Sequence, residues 1–452
     1  MQDTKLNSGL LFSEQEMRDK RWEQFTRTNL GKLYLTIPFR DIAGRYPSRQ
    51  SQCGVKPIFT LEGGIGLMFL KSYLKCSDEK IIEQLNCGNW AMQWFCGIRL
   101  REGQMIKDRG IMSRWRGFLG AHLKEDEIQQ ILAKEWSAYI EDKRSNVSDA
   151  TCYESHVRFP TDVKIMWESI DWLYHQIRAL SSFTKRPQPR NKYQNVKLAY
   201  FSYSRKRKKT HQATRCLSRR LLYLLHKMLK QISPLIGFWS RAFSFGKKSP
   251  VNGNFFKRLK LIKQVSQQQQ LHYDRPDVSI PNRIVSLYKP YLRPIVRGKE
   301  TKRVEFGKKV HKMMVGGIGF IEHWDYEAFN EGTRAIHTIW KHRQYFGKCN
   351  LFGGDQIYAT NKNRAYCSLN GIFTNFKRKG RAGRNENQAA LLRSLIAKER
   401  STVLEGSFGN EKNHYTLDRI RARTEHTENA WIFFGMMCAN AMKIAKKMNS
   451  PP

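Results

Sequence analysis

Three acidic residues have the types and positions that metal-dependent chemistry requires. Asp149 lies in a run of small and β-branched residues, 146–153, that predicts a strand, and Asp355 ends a second predicted strand, 350–355. Two carboxylates brought side by side repel each other unless a cation joins them. Mg²⁺ suits such a pair because it binds carboxylate oxygens and fills its remaining positions with water and phosphate oxygens. We select Glu405, on the last long predicted helix, as the third acid.

Two metal ions about 4 Å apart can stabilise the attacking and leaving oxygens of an in-line displacement at phosphorus. We therefore expect Mg²⁺ or Mn²⁺, two ions, at Asp149, Asp355 and Glu405. Lys412 lies seven residues after Glu405, so both side chains project from nearly the same helix face, where a lysine could hold a phosphate. Arg419 would extend this track if the helix continued past residue 415.

The order of the predicted elements determines whether these acids can meet. The segments are a strand at 146–153, a hairpin at 309–322, a helix at 330–345, a strand at 350–355, a helix at 361–369, a strand at 372–374 and a helix at 387–412. This is the element order of a ribonuclease-H-like domain, in which the first and fourth strands lie side by side. The predicted fold is α/β: a ribonuclease-H-like catalytic domain over 145–445, with a basic helical insertion after its first strand.

The net charge indicates a polyanionic partner. The chain has 80 Lys+Arg against 39 Asp+Glu, a formal charge of +41 on 452 residues. Self-repulsion of this size works against a compact state, and nucleic acid relieves it because each neutralised phosphate releases counterions. A membrane surface is the alternative. However, residues 1–12 lack the apolar run of a signal peptide, and the longest apolar stretch, 431–442, is too short to span a bilayer.

The nine cysteines favour neither a zinc ribbon nor a disulfide framework, because their number is odd and no CxxC pair occurs. They predict reduced thiols in a cytoplasmic protein. The length suggests two or three domains.

The predicted insertion, 181–300, begins with an abrupt change in composition. Residues 181–270 hold 22 Lys and Arg and no Asp or Glu, whereas Leu residues recur at helical spacing between 217 and 229. We interpret this segment as helical, with one apolar stripe and a basic face that contacts phosphates. A solvated surface is the alternative. The DNA contacts predicted in its charge run are Arg205, Lys206, Arg207, Lys208 and Lys209.

Residues 1–130 predict an all-α N-terminal domain. Ser77 caps a helix over 78–85, and 110–116 predicts a turn, a cap at Ser113 and a basic helix ending at 123. Arg114 and Arg116 flank Trp115 and are the candidate DNA contacts, one of them at DNA and the other in a salt bridge or at the surface. A helical packing domain with a charged outer face is the alternative.

Four further residues receive structural interpretations. Thr161 or Asp162 starts a helix, so Asp162 is excluded from the acid set. Trp324 and Trp340 could stack on an unpaired base, but we expect both to pack in the core.

Several phrases together resemble a known family. They lie at residues 149–151, 159–162, 305–310, 330–331, 354–358 and 405–412. They are similar to bacterial insertion-sequence transposases of the DDE class, nearest to the four/five insertion-sequence superfamily, and residues 39–123 resemble the helical domain that precedes its catalytic core. The resemblance implies that Asp149, Asp355 and Glu405 form the catalytic triad. The Glu-x6-Lys spacing of Glu405 and Lys412 matches, whereas Arg400, a predicted DNA contact, stands five residues before Glu405.

The function implied by the resemblance is metal-dependent DNA cleavage at element ends, followed by strand transfer into target DNA. Its partners would be terminal inverted repeats and target DNA, with at least a dimer in the synaptic complex of a bacterial cytoplasm. One alternative is a metal nuclease without strand transfer. Another is a degenerate or domesticated copy that only binds DNA. A ribosomal or RNA-packaging protein would share the charge but would have no reason to place acids at these three positions.

Overall fold

Strand β1, Ser145–Ser155, is central to the sheet of this mixed α/β chain. The computed structural model describes residues 14–48, 57–101, 103–242, 249–296, 304–377, 380 and 386–448. The chain divides into two compact units: unit 1 comprises 1–156 and 307–452, and unit 2 comprises 157–306. The predicted insertion, 181–300, lies within unit 2, which starts earlier in the chain. The helix Asp162–Phe183 packs its apolar face against the helices of unit 2, so the unit begins at 157.

Unit 1 contains most of the sheet. The remaining strands are β2 (Pro294–Val296), β3 (Val304–Val315), β4 (Ile318–Asp325), β5 (Leu351–Gly353), β6 (Phe373–Thr374) and β7 (Arg419–Ile420). Strands β4, β3 and β1 are antiparallel neighbours, and β5 and β6 follow β1 in parallel, giving the order β4-β3-β1-β5-β6. β7 joins the far end of β1 in parallel. Gly316 and Gly317 both have positive φ between β3 and β4, as a tight hairpin turn requires.

Helices before β1 form the N-terminal part of unit 1. They are α1 (Glu14–Arg27), α2 (Asn29–Leu35), α3 (Phe39–Ala43), α4 (Leu61–Leu74), α5 (Asp78–Asn86), α6 (Trp90–Phe95), α7 (Ile111–Ala121) and α8 (Glu125–Trp136). The predicted Ser77 cap is confirmed: its hydroxyl accepts from Lys80 N at 3.1 Å. The predicted cap at Ser113 is wrong, because α7 begins at Ile111 and Ser113 lies within its first turn.

In unit 2 the helices are α9 (Asp162–Phe183), α10 (Tyr193–Arg205), α11 (His211–Ala242) and α12 (Gly253–Asp274). Thr161 caps α9 through Lys164 N, as predicted. The leucine stripe of α11 is buried against α9, and α12 completes the core. β2 pairs with residues 304–306 of β3.

The second half of unit 1 adds helices α13 (Ala335–Phe346), α14 (Asn361–Leu369), α15 (Glu386–Glu399), α16 (Glu405–His414) and α17 (Glu425–Met448). α17 is buried along most of its length and packs against α4 and α7. The rings of Phe69 on α4 and Phe434 on α17 meet edge to face with centroids 5.5 Å apart. The predicted N-terminal domain therefore has no separate core, since its helices and α17 form one hydrophobic cluster.

No helix in the described ranges is long and apolar enough to cross a bilayer. The predictions made for residues 1–12 fall on positions outside the described part of the chain.

Candidate active site

The register of two parallel strands places Asp149 beside Asp355. Val147 of β1 is paired with Gly353, the last residue of β5; Asp149 follows two residues later within β1, and Asp355 follows two residues after the end of β5. Asp149 Oδ1 accepts from Ala150 N at 2.8 Å, and Asp355 Oδ1 accepts from Ile357 N at 2.6 Å. The second bond makes Asp355 the N-cap of a short 3-10 helix, Gln356–Tyr358, which turns the chain away from the sheet.

Asp149 carries a carboxyl that resists ionisation. Burial raises its pKa, and the negative charges of Glu331 and Asp355 raise the pKa further. The Ala150 hydrogen bond and the Arg400 guanidinium act in the opposite direction. The pKa of Asp149 remains above the ordinary aspartate value, because burial and the two neighbouring carboxylates outweigh the hydrogen bond and the guanidinium.

Arg400 joins the third acid to this pair. Its Nη1 lies 3.0 Å from Asp149 Oδ2 and 3.4 Å from Glu405 Oε1. The same guanidinium nitrogen therefore contacts one oxygen of the Asp149 carboxylate and one oxygen of the Glu405 carboxylate. Glu405 is half exposed, and the guanidinium supplies positive charge between the two acids.

A π-helical turn, Arg400–Leu404, produces this contact. It connects α15 to α16, and Glu405 N donates to Arg400 O across the five-residue spacing that defines a π-helix. In a regular α-helix, the residue one turn before Glu405 would be Ser401. The π turn therefore brings Arg400 above Glu405 in place of Ser401.

Lys412 lies on α16 two turns after Glu405, as the spacing predicts. Its Nζ donates to Thr151 Oγ1 at 2.9 Å and lies 5.8 Å from the centre of the Tyr153 ring. Thr151 is two residues after Asp149 on β1, so Lys412 and Asp149 share one face of that strand.

A buried charge network fixes α16 against the sheet. Lys312 of β3 donates to Glu411 at 2.6 and 2.7 Å and to Ser407 at 3.0 Å, and Tyr153 also donates to Glu411. Burial lowers the pKa of Lys312 to about 8, although the Glu411 carboxylate opposes this shift. Sequence reasoning missed both charges because nothing in local spacing pairs β3 with α16.

A second buried network supports the Asp355 turn. His311 Nε2 lies 2.6 Å from the Tyr358 hydroxyl, and its Nδ1 lies 2.9 Å from Glu322. Burial opposes ionisation of Glu322, but bonds from His311 and Arg334 bring its pKa down to about 2. Tyr358 is fully buried three residues after Asp355, so this network positions the turn that carries the aspartate.

Glu331 is a further acid that sequence reasoning did not select. Its charge raises the pKa values of both Asp149 and Tyr358, and its carboxylate lies 2.7 Å from Lys309 Nζ. Residues 330–331 were noted only as part of the family resemblance. Only the fold brings this loop to the end of β1.

A basic cleft of about 850 Å³ opens beside Asp355. Besides Arg400 it is lined by Arg364, Lys377 and Arg393. Arg393 pairs with Glu386 at 2.5 Å, and the Arg364 Nε donates to Ala359 O. Cations around an acid provide a surface that attracts anionic groups.

No group of three or more His, Cys, Asp or Glu side chains among the described residues is arranged so that it could hold a metal ion. Arg400 lies between two of the three selected acids. The donors present are carboxylate oxygens, which are the ligand type that Mg²⁺ and Mn²⁺ prefer. The residues fit such an ion on chemistry, provided that the guanidinium moves from between Asp149 and Glu405.

The arginines selected on α7 differ in their environments. Arg116 is buried, donates to both carboxylate oxygens of Asp78 at 2.9 and 3.0 Å, and lies 4.6 Å from the Trp431 ring centre. Arg116 therefore takes the salt-bridge position expected for one of the two arginines, and its side chain serves the core of unit 1. Arg114 is half exposed and pairs with Asp108.

The structure also gives the positions of Arg419, of residues 205–209 and of the two tryptophans Trp324 and Trp340. Arg419 is not on the helix of Glu405, because α16 ends at His414 and Arg419 begins β7. Residues 205–209 end α10 and enter the following link, exposed throughout. Trp324 packs against the core as expected, whereas Trp340 is 61% exposed and donates to the Tyr366 hydroxyl at 2.8 Å.

Comparison with protein-family models, with curated proteins and with solved structures finds no match to this chain.

Proposed function

We propose that unit 1 is a ribonuclease-H-like domain of a DDE transposase, which cleaves DNA at element ends and transfers the strand into target DNA. The observation that carries the proposal is the parallel register of β1 and β5, which sets Asp149 beside Asp355. Glu405 is linked to the same place through Arg400. Three acids from a strand, a strand end and a helix are the arrangement that the sequence predicted for metal-dependent phosphodiester chemistry.

The strand order supports this fold assignment. Three antiparallel strands in the order β4-β3-β1, continued by parallel β5 and β6, agree with the element order expected of a ribonuclease-H-like sheet. Unit 2 follows β1 directly in the chain, which is where the insertion was predicted.

Asp149, Asp355 and Glu405 would hold the metal. When bound, Mg²⁺ or Mn²⁺ would supply charge stabilisation at the reacting phosphate and lower the pKa of a water nucleophile. Other residues of the chain would bind the substrate and hold the acids in position. Arg364, Lys377 and Arg393 would hold neighbouring phosphates, and the buried networks would keep Asp355 and α16 in place.

Two displacements follow from this assignment. In the first, a water oxygen bonds to phosphorus while the P–O3′ bond breaks, leaving a 3′ hydroxyl and a 5′ phosphate. In the second, that hydroxyl attacks a phosphate of target DNA, and the displaced strand retains the leaving oxygen. Both are in-line displacements that the same carboxylates would serve.

The proposal is tested by incubating the full chain with its flanking DNA ends and Mg²⁺ and sequencing the products. Cut ends joined to target DNA are expected. Cleavage without joined products would indicate the nuclease alternative instead. Binding without cleavage would indicate a protein that only binds DNA.

Sequence recognition by the N-terminal helices is part of the same proposal. Arg114 remains the α7 side chain with the exposure needed to contact DNA, and its partner Asp108 would have to release it. A fragment of 1–130 is unsuited to the test, because its helices share a core with α17. Binding of the full chain to a terminal repeat and to a scrambled duplex tests recognition instead.

Replacing Arg400 by Ala should change the response of the protein to metal. Without metal, Arg400→Ala should unfold more readily by about 1 kcal/mol, since two partly exposed carboxylates lose their shared cation. Mn²⁺ should then raise its melting temperature more than that of the unmodified protein. Differential scanning calorimetry with and without Mn²⁺ measures both effects. Arg393→Ala is the control, since it pairs with Glu386, and an equal Mn²⁺ response in all three proteins would contradict the prediction.

Neutralising the exposed run in unit 2 should weaken DNA binding mostly at low salt. The variant replaces Lys206, Lys208 and Lys209 by Gln. The slope of log K against log salt should flatten by about 0.9 for each lost phosphate contact on duplex DNA. A control with the same charge loss in unit 1 replaces the exposed Lys107, Lys348 and Lys362. Binding is measured by fluorescence anisotropy. Equal slopes for the unmodified protein and the unit 2 variant would show that residues 205–209 are only solvated surface.

A further inference from the structure

Unit 2 carries a cleft of about 700 Å³ that the proposed catalysis does not use. One wall is a face of α12, where Lys257, Lys260 and Gln264 follow one another at helical spacing. Trp172 and Gln176, one turn apart on α9, also line the cleft. Leu287, Tyr288 and Pro290 contribute to the lining as well.

The charge of this cleft has one sign. Lys257, Arg258 and Lys260 line it, and none of the described residues around it is acidic. The unit as a whole has 33 Lys and Arg against 7 Asp and Glu over residues 157–306. Two of its acids have partners outside the cleft: Asp162 pairs with Arg283 at 2.5 Å, and Asp171 accepts from Tyr193 at 2.6 Å. An anionic ligand is therefore the one that the cleft attracts.

Aromatic rings and amides are interleaved with these cations. Trp172 and Phe255 pack with ring centroids 5.4 Å apart. Tyr288 is 69% exposed, and the Arg258 guanidinium lies 4.4 Å from the centre of its ring and donates to Leu287 O at 3.3 Å. An exposed tyrosine held by a stacked arginine keeps its ring in a fixed orientation, which lowers the entropy cost of stacking a planar ligand on it.

We infer that this cleft binds an unpaired nucleic-acid strand, with bases stacked on Tyr288 and Trp172 and phosphates held by Lys257 and Lys260. Gln176 and Gln264 supply donors and acceptors for base edges. A duplex suits the cleft less well, because its base faces are stacked inside and cannot reach the rings. An unpaired strand offers a π face at every base, and stacking tolerates any sequence.

The inference does not rest on the proposed catalysis. A protein that failed to cut DNA could still bind a single strand in unit 2, and a protein that cut DNA could lack this binding. A negative result in the cleavage assay therefore leaves the single-strand binding inference standing, and a negative result in the binding test leaves the proposed catalysis standing.

The test compares Tyr288→Ala with Tyr223→Ala in the full chain. Tyr223 lies on α11 of the same unit, is 67% exposed and does not line the cleft. The probes are labelled oligodeoxythymidine, oligouridine and a duplex of the same length, followed by fluorescence anisotropy. Tyr288→Ala should weaken binding of the favoured oligonucleotide about tenfold, since a base–aromatic stack contributes ~1–3 kcal/mol. Its duplex affinity should stay unchanged, as should all affinities of Tyr223→Ala.

The charges give an independent readout. Lys257→Gln with Lys260→Gln should flatten the salt dependence of oligonucleotide binding by about 0.7 for each lost contact. Lys263→Gln, on the same helix and exposed but outside the cleft, should leave it unchanged. Equal single-strand affinities for Tyr288→Ala and Tyr223→Ala would overturn the inference. A loss in Tyr288→Ala that is as large for the duplex would also overturn it, since the cleft would then hold a duplex backbone.

Discussion

Asp149→Asn should lose DNA cleavage by about a thousandfold or more and retain DNA binding. The amide keeps the size of the side chain and can still accept from Ala150 N, so the local fold is preserved. It cannot supply the negative oxygen that a divalent cation requires. Losing ~4 kcal/mol of metal-dependent stabilisation of the transition state corresponds to a factor of about a thousand in rate.

The matched variants are Asp355→Asn, Glu405→Gln and Glu327→Gln. The first two should resemble Asp149→Asn, whereas Glu327, an exposed acid of unit 1, serves as the control and should keep full activity. Cleavage is followed on labelled DNA ends with Mg²⁺, and affinity is measured without metal. Binding should persist because phosphate contacts supply most of the affinity. Near-normal cleavage by Asp149→Asn would remove it from the catalytic set.

Glu411→Gln should destabilise the protein by about 3–5 kcal/mol at neutral pH, because it leaves Lys312 buried without its counter-ion. The exposed pair Lys80 and Glu83 provides a scale, since Glu83→Gln should cost at most about 0.5 kcal/mol. Urea unfolding monitored by circular dichroism measures both changes.

The loss in Glu411→Gln should also depend on pH. Burial already lowers the pKa of Lys312 to about 8, and removal of the carboxylate that opposes this shift lowers the pKa further. A lysine whose pKa is depressed by folding binds fewer protons in the folded state, so unfolding becomes harder as pH rises from the folded pKa toward the unfolded pKa. The destabilisation relative to the unmodified protein should therefore shrink as pH rises from neutral to about 8, above which both proteins gain stability alike. Lys312→Met with Glu411→Leu should lose less than Glu411→Gln, and the opposite order would contradict a buried ion pair.

The sequence by itself determined the elements whose signals are local. The strand around Asp149, the caps at Ser77 and Thr161 and the helical character predicted for 181–270 all follow from periodicity and capping chemistry, and the described residues confirm them. Asp149 within β1 and Asp355 just after β5 could be selected because each belongs to a strand that the sequence predicts. The catalytic roles assigned to them remain predictions.

Only the tertiary structure decided which distant groups meet. Arg116 and Arg114 look alike in sequence, but Asp78 and Trp431 bury the first and leave the second partly exposed. The π turn that brings Arg400 to Glu405 is absent from any helical spacing rule, because it depends on how α15 and α16 pack. The apolar faces of the N-terminal helices predicted a core without predicting that α17 would complete it. An amphipathic pattern predicts that one face of a helix will be buried. Because the hydrophobic effect is non-directional, the pattern does not specify which element covers that face, and the covering partner depends on the fold of the whole chain.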